Sequence, residues 1–364
     1  MKKIILVLVT LVVAFSFAAC GGGGDKSEAD TLKVGFIYIG AAQDGGFSQA
    51  QDEGRLAMEK KFGGKVETEY LEEVPETAQD VKEAALTLMD KGCTVIVGTS
   101  YGYMDTLDEL AKEYPDNYFL HFSGSKSNDT NFDNYFGAME QPRYLSGMAA
   151  GEMTKSNKIG YVAAYPYTEV QIGINAFALG VQSVNKDAEV KVVYINSWYD
   201  PANEKAAAEA LLAQGCDVLT QHCDTTGPIE AAKSKGAYAI GYNLDKSEAY
   251  KDTLITTPIW NHEVYYNKAI QAIMDGNFKP ESYYGSLKDD YIGLADFGKF
   301  VPEKVQKSVK SAQEKMISGE LAPFQGEIKY ANGKTLCKKG QTLTREEIWK
   351  INNVVEGVTS TDKK

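Results

Sequence analysis

Apolar positions along the 364-residue chain fall into three kinds of run. The first is Ile4 to Ala19, uninterrupted by charge, preceded by Met1-Lys2-Lys3 and ended by Cys20. It has the shape of a secretory signal and is short for a bilayer span. The second kind is brief and rich in β-branched and aromatic residues, and Lys33-Val-Gly-Phe-Ile-Tyr-Ile39 reads as a buried strand. The third repeats at helical spacing, over Phe47 to Lys61, Thr77 to Lys91, Glu169 to Val184 and Pro201 to Gln214.

The strand-like runs occur twice in the same order. Lys158-Ile-Gly-Tyr-Val-Ala-Ala164 echoes the run from Lys33, and Val190-Lys-Val-Val-Tyr194 echoes Val66-Glu-Thr-Glu-Tyr70. Gln214-Gly-Cys-Asp-Val218 echoes Lys91-Gly-Cys-Thr-Val95. Both halves thus alternate β-α-β-α, a pattern that builds parallel sheets covered by helices on both faces. The prediction is an α/β chain of two doubly wound parallel-sheet lobes with a hinge. The N-terminal lobe is expected over 32–150 and the C-terminal lobe over 151–280. Residues 281–364 are expected to pack across lobes and hinge. Within them, Asn332-Gly333 predicts a type I′ hairpin turn, and Ser311–Ile317 and Arg345–Asn353 read as helical.

Ligands of such sheets sit beyond the carboxyl ends of the strands, so two facing lobes surround one cleft with their strand-end loops. Those loops hold Phe47, Tyr101, Tyr165, Trp198 and Tyr199, with Tyr103, Tyr167 and Tyr242 beside them. Flat rings from opposing lobes suit a flat ligand. The same loops carry Gln43, Asp44, Ser48, Ser100, His222, Asp224, Asn243 and Asp245, donors and acceptors suited to the edge of a heterocycle.

Charge narrows the partners. The chain has 38 basic and 50 acidic residues, a net charge of −12, and loss of Lys2 and Lys3 with the signal makes it more negative. Such a surface disfavours nucleic acid. Beyond Cys20 the cysteines are Cys93, Cys216, Cys223 and Cys337, without zinc spacing, and no metal or cofactor is expected. Gly98-Thr-Ser-Tyr-Gly102 matches the nucleophile elbow of hydrolases, with His121, His222 or His262 as candidate bases for Ser100. Its duplicated counterpart is Gln221-His-Cys-Asp224, which favours a pair of equivalent cleft loops over a single catalytic turn.

Several segments together resemble the basic membrane protein family. They are Asp44-Gly-Gly-Phe-Ser-Gln-Ala-Gln-Asp-Glu-Gly54, Ser100-Tyr-Gly-Tyr-Met-Asp105, Gly147-Met-Ala-Ala-Gly151, Lys158-Ile-Gly-Tyr161, Gly173-Ile-Asn-Ala-Phe177, Trp198-Tyr-Asp-Pro201 and Thr220-Gln-His-Cys-Asp224. The resemblance implies a type I periplasmic-binding-protein fold and a purine receptor that feeds an ABC permease, a binding protein and not an enzyme. It places the base between Phe47 and Trp198, with Asp44, Ser48, Ser100, His222 and Asp245 as polar partners. Many relatives have an Asp-x-Asp pair where this chain has Asn243-Leu-Asp245, which points to a free nucleobase over a nucleoside. Phe17-Ala-Ala-Cys20 resembles a lipobox, giving a signal peptide over 1–19, a lipidated Cys20 and a flexible tether over 20–31. The expected molecule is an extracytoplasmic, membrane-anchored monomer. A sensor whose closed form is read by a receptor is the alternative within the binding class, and a secreted hydrolase using Ser100 the alternative outside it.

Overall fold

A computed structural model describes residues 31–360. The signal, Cys20 and nearly all of the tether lie outside those residues. Strands β1 (Leu32–Ile37), β2 (Val66–Leu71), β3 (Val95–Gly98), β4 (Tyr118–Phe122) and β5 (Phe132–Gly137) alternate with helices α1 (Phe47–Phe62), α2 (Ala78–Asp90) and α3 (Met104–Glu113). After α4 (Glu140–Met153) the pattern repeats. Strands β6 (Lys158–Ala163), β7 (Glu189–Tyr194), β8 (Val218–His222), β9 (Tyr238–Ile240) and β10 (Leu254–Thr256) follow, with α5 (Thr168–Val184), α6 (Pro201–Ala213) and α7 (Gly227–Lys235) between them. The central strands β3 and β8 are buried throughout, as parallel strands covered on both faces must be.

The remaining chain passes between the lobes. It comprises β11 (Pro258–Trp260), α8 (His262–Met274), β12 (Tyr283–Gly285), β13 (Ile292–Leu294), α9 (Glu303–Ser318), β14 (Ile328–Lys329), β15 (Thr335–Cys337), α10 (Arg345–Ile348) and β16 (Val358–Ser360). One sheet has the order β12-β5-β4-β3-β1-β2 and the other β10-β9-β8-β6-β7-β16, so each lobe is completed by a strand from the tail. Strands β11 and β13, paired antiparallel, carry the chain back and forth.

The crossing points differ from the expected boundaries. The chain leaves the first sheet at the end of β5, and α4 packs along α5 of the second lobe instead of closing the first. Its small residues are the reason. A Cβ on Gly147 would lie 2.1 Å from the Phe177 carbonyl oxygen and one on Gly180 1.9 Å from that of Tyr144, so the two helix backbones touch where only glycine fits. Conversely, α8 falls within 151–280 yet packs on α1 of the first lobe, where Gly54 admits His262.

The hairpin at Asn332-Gly333 forms, but not as a type I′ turn. Among its residues only Gly333 has positive φ, +81°, and the Tyr330 carbonyl accepts from Gly333 N at 2.9 Å. A type I turn followed by a glycine bulge fits those bonds and the register shift between β14 and β15. Helix α9 starts well before Ser311, and α10 ends at Ile348 instead of reaching Asn353.

Candidate ligand-binding site

Three local devices build the cleft wall. The Asp44 carboxylate accepts from the backbone N–H groups of Gly46 and Ser48 at 2.8 Å and of Gln49 at 3.0 Å. It thereby satisfies the exposed amides of the first turn of α1 and sets Phe47 as its first residue. The buried Ser48 hydroxyl accepts from Gly40 N at 3.1 Å. In the other lobe, Asp200 caps α6 through Asn203 N at 3.0 Å, while Glu204 accepts from Asp200 N at 3.1 Å and from the Thr225 hydroxyl at 2.7 Å. Glu204 thus ties the Trp198 loop to the Asp224 loop, and Asp224 N donates to the Trp198 carbonyl at 3.0 Å.

Between the lobes lies a pocket of about 410 Å³, its mouth included. Phe47, Ser100, Tyr101, Trp198, His222 and Asp224, all expected at the site, line it together with Ile39, Thr99, Phe122, Ser123, Phe136, Glu169 and Tyr242. Phe47 reaches it from the first lobe and Trp198 from the second. The Phe47 ring packs at 5.4 Å on Phe122, and Trp198 lies 5.4 Å from Tyr165 and 6.4 Å from His222.

The other expected residues sit elsewhere. Gln43 is exposed, and Asp44 and Ser48 are engaged in building the loop. Tyr165 stacks on Tyr167 at 4.9 Å at the rim, and Tyr199 borders Gly40. Asn243 adopts positive φ, +72°, which turns its Oδ1 to accept from the Trp260 indole at 3.2 Å. Asp245 accepts from Ser247 N at 2.8 Å, and both Asn243 and Asp245 line a separate groove with Glu53 and Glu263.

The lobes are closed on each other. A Cβ on Gly46 would stand 1.8 Å from the carbonyl oxygen of Asp224 across the cleft. Lys246 donates to Gln49 at 3.2 Å, Ser123 donates to Glu169, and Tyr101 meets Tyr167 with ring centroids 5.5 Å apart. Each of these interactions joins one lobe to the other.

The two carboxyl groups that line the pocket are Asp224 and Glu169. Burial pushes the Asp224 carboxyl well above the usual carboxylate range, and Asp44, Glu204, Glu76 and Glu169 push it the same way. No hydrogen bond to the Asp224 carboxylate is made among the described residues. Burial raises Glu169 to about 7, opposed by the bond from Ser123. Burial, and next the Arg143 charge, hold His222 well below its ordinary value, so it is neutral.

Ser100 has no base. Its hydroxyl donates at 2.6 Å to Glu76, which also accepts from Gly102 N at 2.7 Å. His121 meets the Ser100 carbonyl oxygen at 2.8 Å and not the hydroxyl, while His222 and His262 pair with Tyr242 and Tyr291. The elbow-like segment is a cleft loop fastened by a carboxylate. Cys93, Cys216, Cys223 and Cys337 are buried and unpaired, and no metal-holding cluster occurs among the described residues.

Two α/β lobes closed over one aromatic-walled pocket define a two-lobed solute-binding protein. The family of ABC transporter substrate-binding proteins described as PnrA-like, Bmp, matches residues 31–323, and the chain belongs to it. Its members are extracytoplasmic substrate-binding components that work with an ABC permease, not enzymes. A purine-binding protein of Brucella abortus is 37% identical over 336 residues, covering 92% of this chain and 95% of the relative. A protein of Haloferax volcanii, provisionally described as an ABC transporter glucose-binding protein, is 34% identical over 305 residues, 84% of this chain and 77% of its own. Among solved structures, an ABC transporter solute-binding protein of Aeropyrum pernix matches with a TM-score of 0.70 at 19% identity, covering 82% of this chain and 93% of that one. No helix among the described residues is long and apolar enough to cross a membrane.

Proposed function

We propose that the protein is a lipid-anchored receptor that captures a purine, the free nucleobase ahead of the nucleoside, and hands it to its permease. The observation that carries this reading is the pairing of Phe47 and Trp198, one from each lobe, around a pocket whose buried polar groups include the carboxyls of Asp224 and Glu169. A flat heterocycle stacks on such rings, and its N–H edge finds acceptors. Lobe closure then follows from binding, because only the closed form touches both faces of the ligand. The purine-binding description of the Brucella abortus relative supports the same class.

The preference for a base rests on Asn243 and Asp245. The family resemblance implies a carboxylate pair there in members that hold a ribose, and in this chain Asn243 Oδ1 accepts from the Trp260 indole and Asp245 from Ser247 N, both outside the pocket. Calorimetry on ligand-stripped protein against adenine, guanine and hypoxanthine, their nucleosides and glucose tests the reading. A nucleoside that binds more than about tenfold tighter than its base, about 1.4 kcal/mol, overturns the base preference. Glucose binding without purine binding overturns the purine reading.

Lipid attachment at Cys20 rests on the Phe17-Ala18-Ala19-Cys20 segment and the Gly21–Gly24 tether. Cys20→Ser should release the protein from the membrane fraction or leave it unprocessed. Wild-type protein recovered wholly in the soluble fraction refutes it.

A further inference from the structure

Behind the pocket floor lies a polar cluster that ligand capture does not explain. Arg143 of α4 is fully buried, with 0% exposure. Its Nη1 donates to the Gln221 carbonyl at 2.8 Å, and its guanidinium lies 3.7 Å from the centre of the Tyr242 ring and 5.6 Å from that of Tyr161. Nε and Nη2, the side-on edge that takes carboxylates in bidentate pairs, have no hydrogen-bond partner among the described residues. Arg143 also makes no ion pair among them.

Three further polar atoms share that condition on the same face of the second sheet. They are the Tyr161 hydroxyl, the Thr220 hydroxyl and His222 Nδ1, on residues no more than 6% exposed. Tyr161 and Thr220 are direct partners in the β6–β8 register, and His222 is the next residue of β8 on that face. Gly173 keeps space open beside them, since a Cβ there would stand 3.1 Å from His222 Nδ1 and 3.4 Å from the Tyr161 oxygen.

We propose that this cluster binds one small monovalent anion of halide size. Two facts select an anion over water. Every member can donate, His222 through Nδ1 in the tautomer whose Nε2, 3.3 Å from the Tyr242 oxygen, accepts from that hydroxyl. The cluster also contains a buried cation with no counter-ion, and a buried charge needs one. The anion would hold His222 and Tyr242, two walls of the ligand pocket, from behind.

Crystals of the mature chain soaked in bromide test this by anomalous diffraction. A bromide peak within hydrogen-bonding reach of Arg143 Nε and Nη2 is expected. In solution, the unfolding midpoint should rise with chloride and not with gluconate at equal ionic strength. Thr220→Val, nearly isosteric and outside the ligand pocket, should raise the half-saturating bromide concentration about fivefold, the loss of one hydrogen bond. Density at this position that scatters as water in bromide-soaked crystals overturns the proposal. So does a midpoint equally responsive to chloride and gluconate.

Discussion

The closed cleft leaves no room for a side chain at Gly46, and that makes closure separable from folding. In Gly46→Ala the new Cβ would start 1.8 Å from the Asp224 carbonyl oxygen, whereas real Cβ atoms stay beyond 3.0 Å from such neighbours. The lip must therefore open by roughly 1.2 Å, because the obstructing atoms are the Asp224 backbone and not the end of a flexible side chain. Opening by that amount strains the Lys246–Gln49 bond, already 3.2 Å long, and pulls apart Ser123 from Glu169 and Tyr101 from Tyr167 across the cleft. Breaking two or three such interactions costs about 2 to 3 kcal/mol, or roughly 30- to 150-fold in affinity. Opening carries Asp224 away from Gly46, so the unliganded variant is expected to fold. Calorimetry with the best purine gives the affinity, and small-angle scattering with and without ligand gives the closure. A variant that binds within about threefold of wild type and compacts equally would refute the argument.

Two further outcomes follow from the pocket itself. Phe47→Ala and Trp198→Ala should each weaken purine binding by about 1 to 3 kcal/mol, judged from base–aromatic stacking, and unchanged titrations would rule out the sandwich. Glu169 gives a pH dependence: its folded value is raised to about 7 above the ordinary carboxylate value, so the protonated form is favoured in the folded protein. Its contribution to stability is complete below the unfolded value and is lost as pH rises through about 7. The closed, purine-bound protein should lose unfolding midpoint between about pH 5 and about pH 8, and Glu169→Gln should flatten that decline; an unchanged slope in the variant contradicts the assignment.

What the sequence made legible was set by how local each signal is. Strand and helix order, the two-lobe repeat and the strand-end loops follow from periodicity, and the structure carries the pocket on those loops. Individual side-chain partners were less legible, because a loop residue points wherever its backbone turns. Asn243 and Asp245 looked like ligand groups, yet a positive φ and a local turn direct them away. Phe122, Glu169 and Tyr242 line the pocket from strand-end loops or their edges, but Phe122 reads as the last core residue of a strand and Glu169 as a first-turn helix acid. The placement of α4 depends on Gly147 and Gly180 bringing together helices distant from the first sheet, and no periodicity reveals that approach.

The tail that completes both sheets also dictates an order of assembly. The first sheet waits for β12 at Tyr283–Gly285, although its other strands end at Gly137, and the second waits for β16 at Val358–Ser360. Neither lobe can finish folding as the chain is made, because each needs a strand that follows the other lobe's core or closes the chain. The pairings of greatest sequence separation are the last available, so loop closure and not strand formation should set the folding rate. Until then each sheet presents an unpaired edge, β5 in one lobe and β7 in the other, which makes the interval before the tail docks the period in which this chain most needs protection from aggregation.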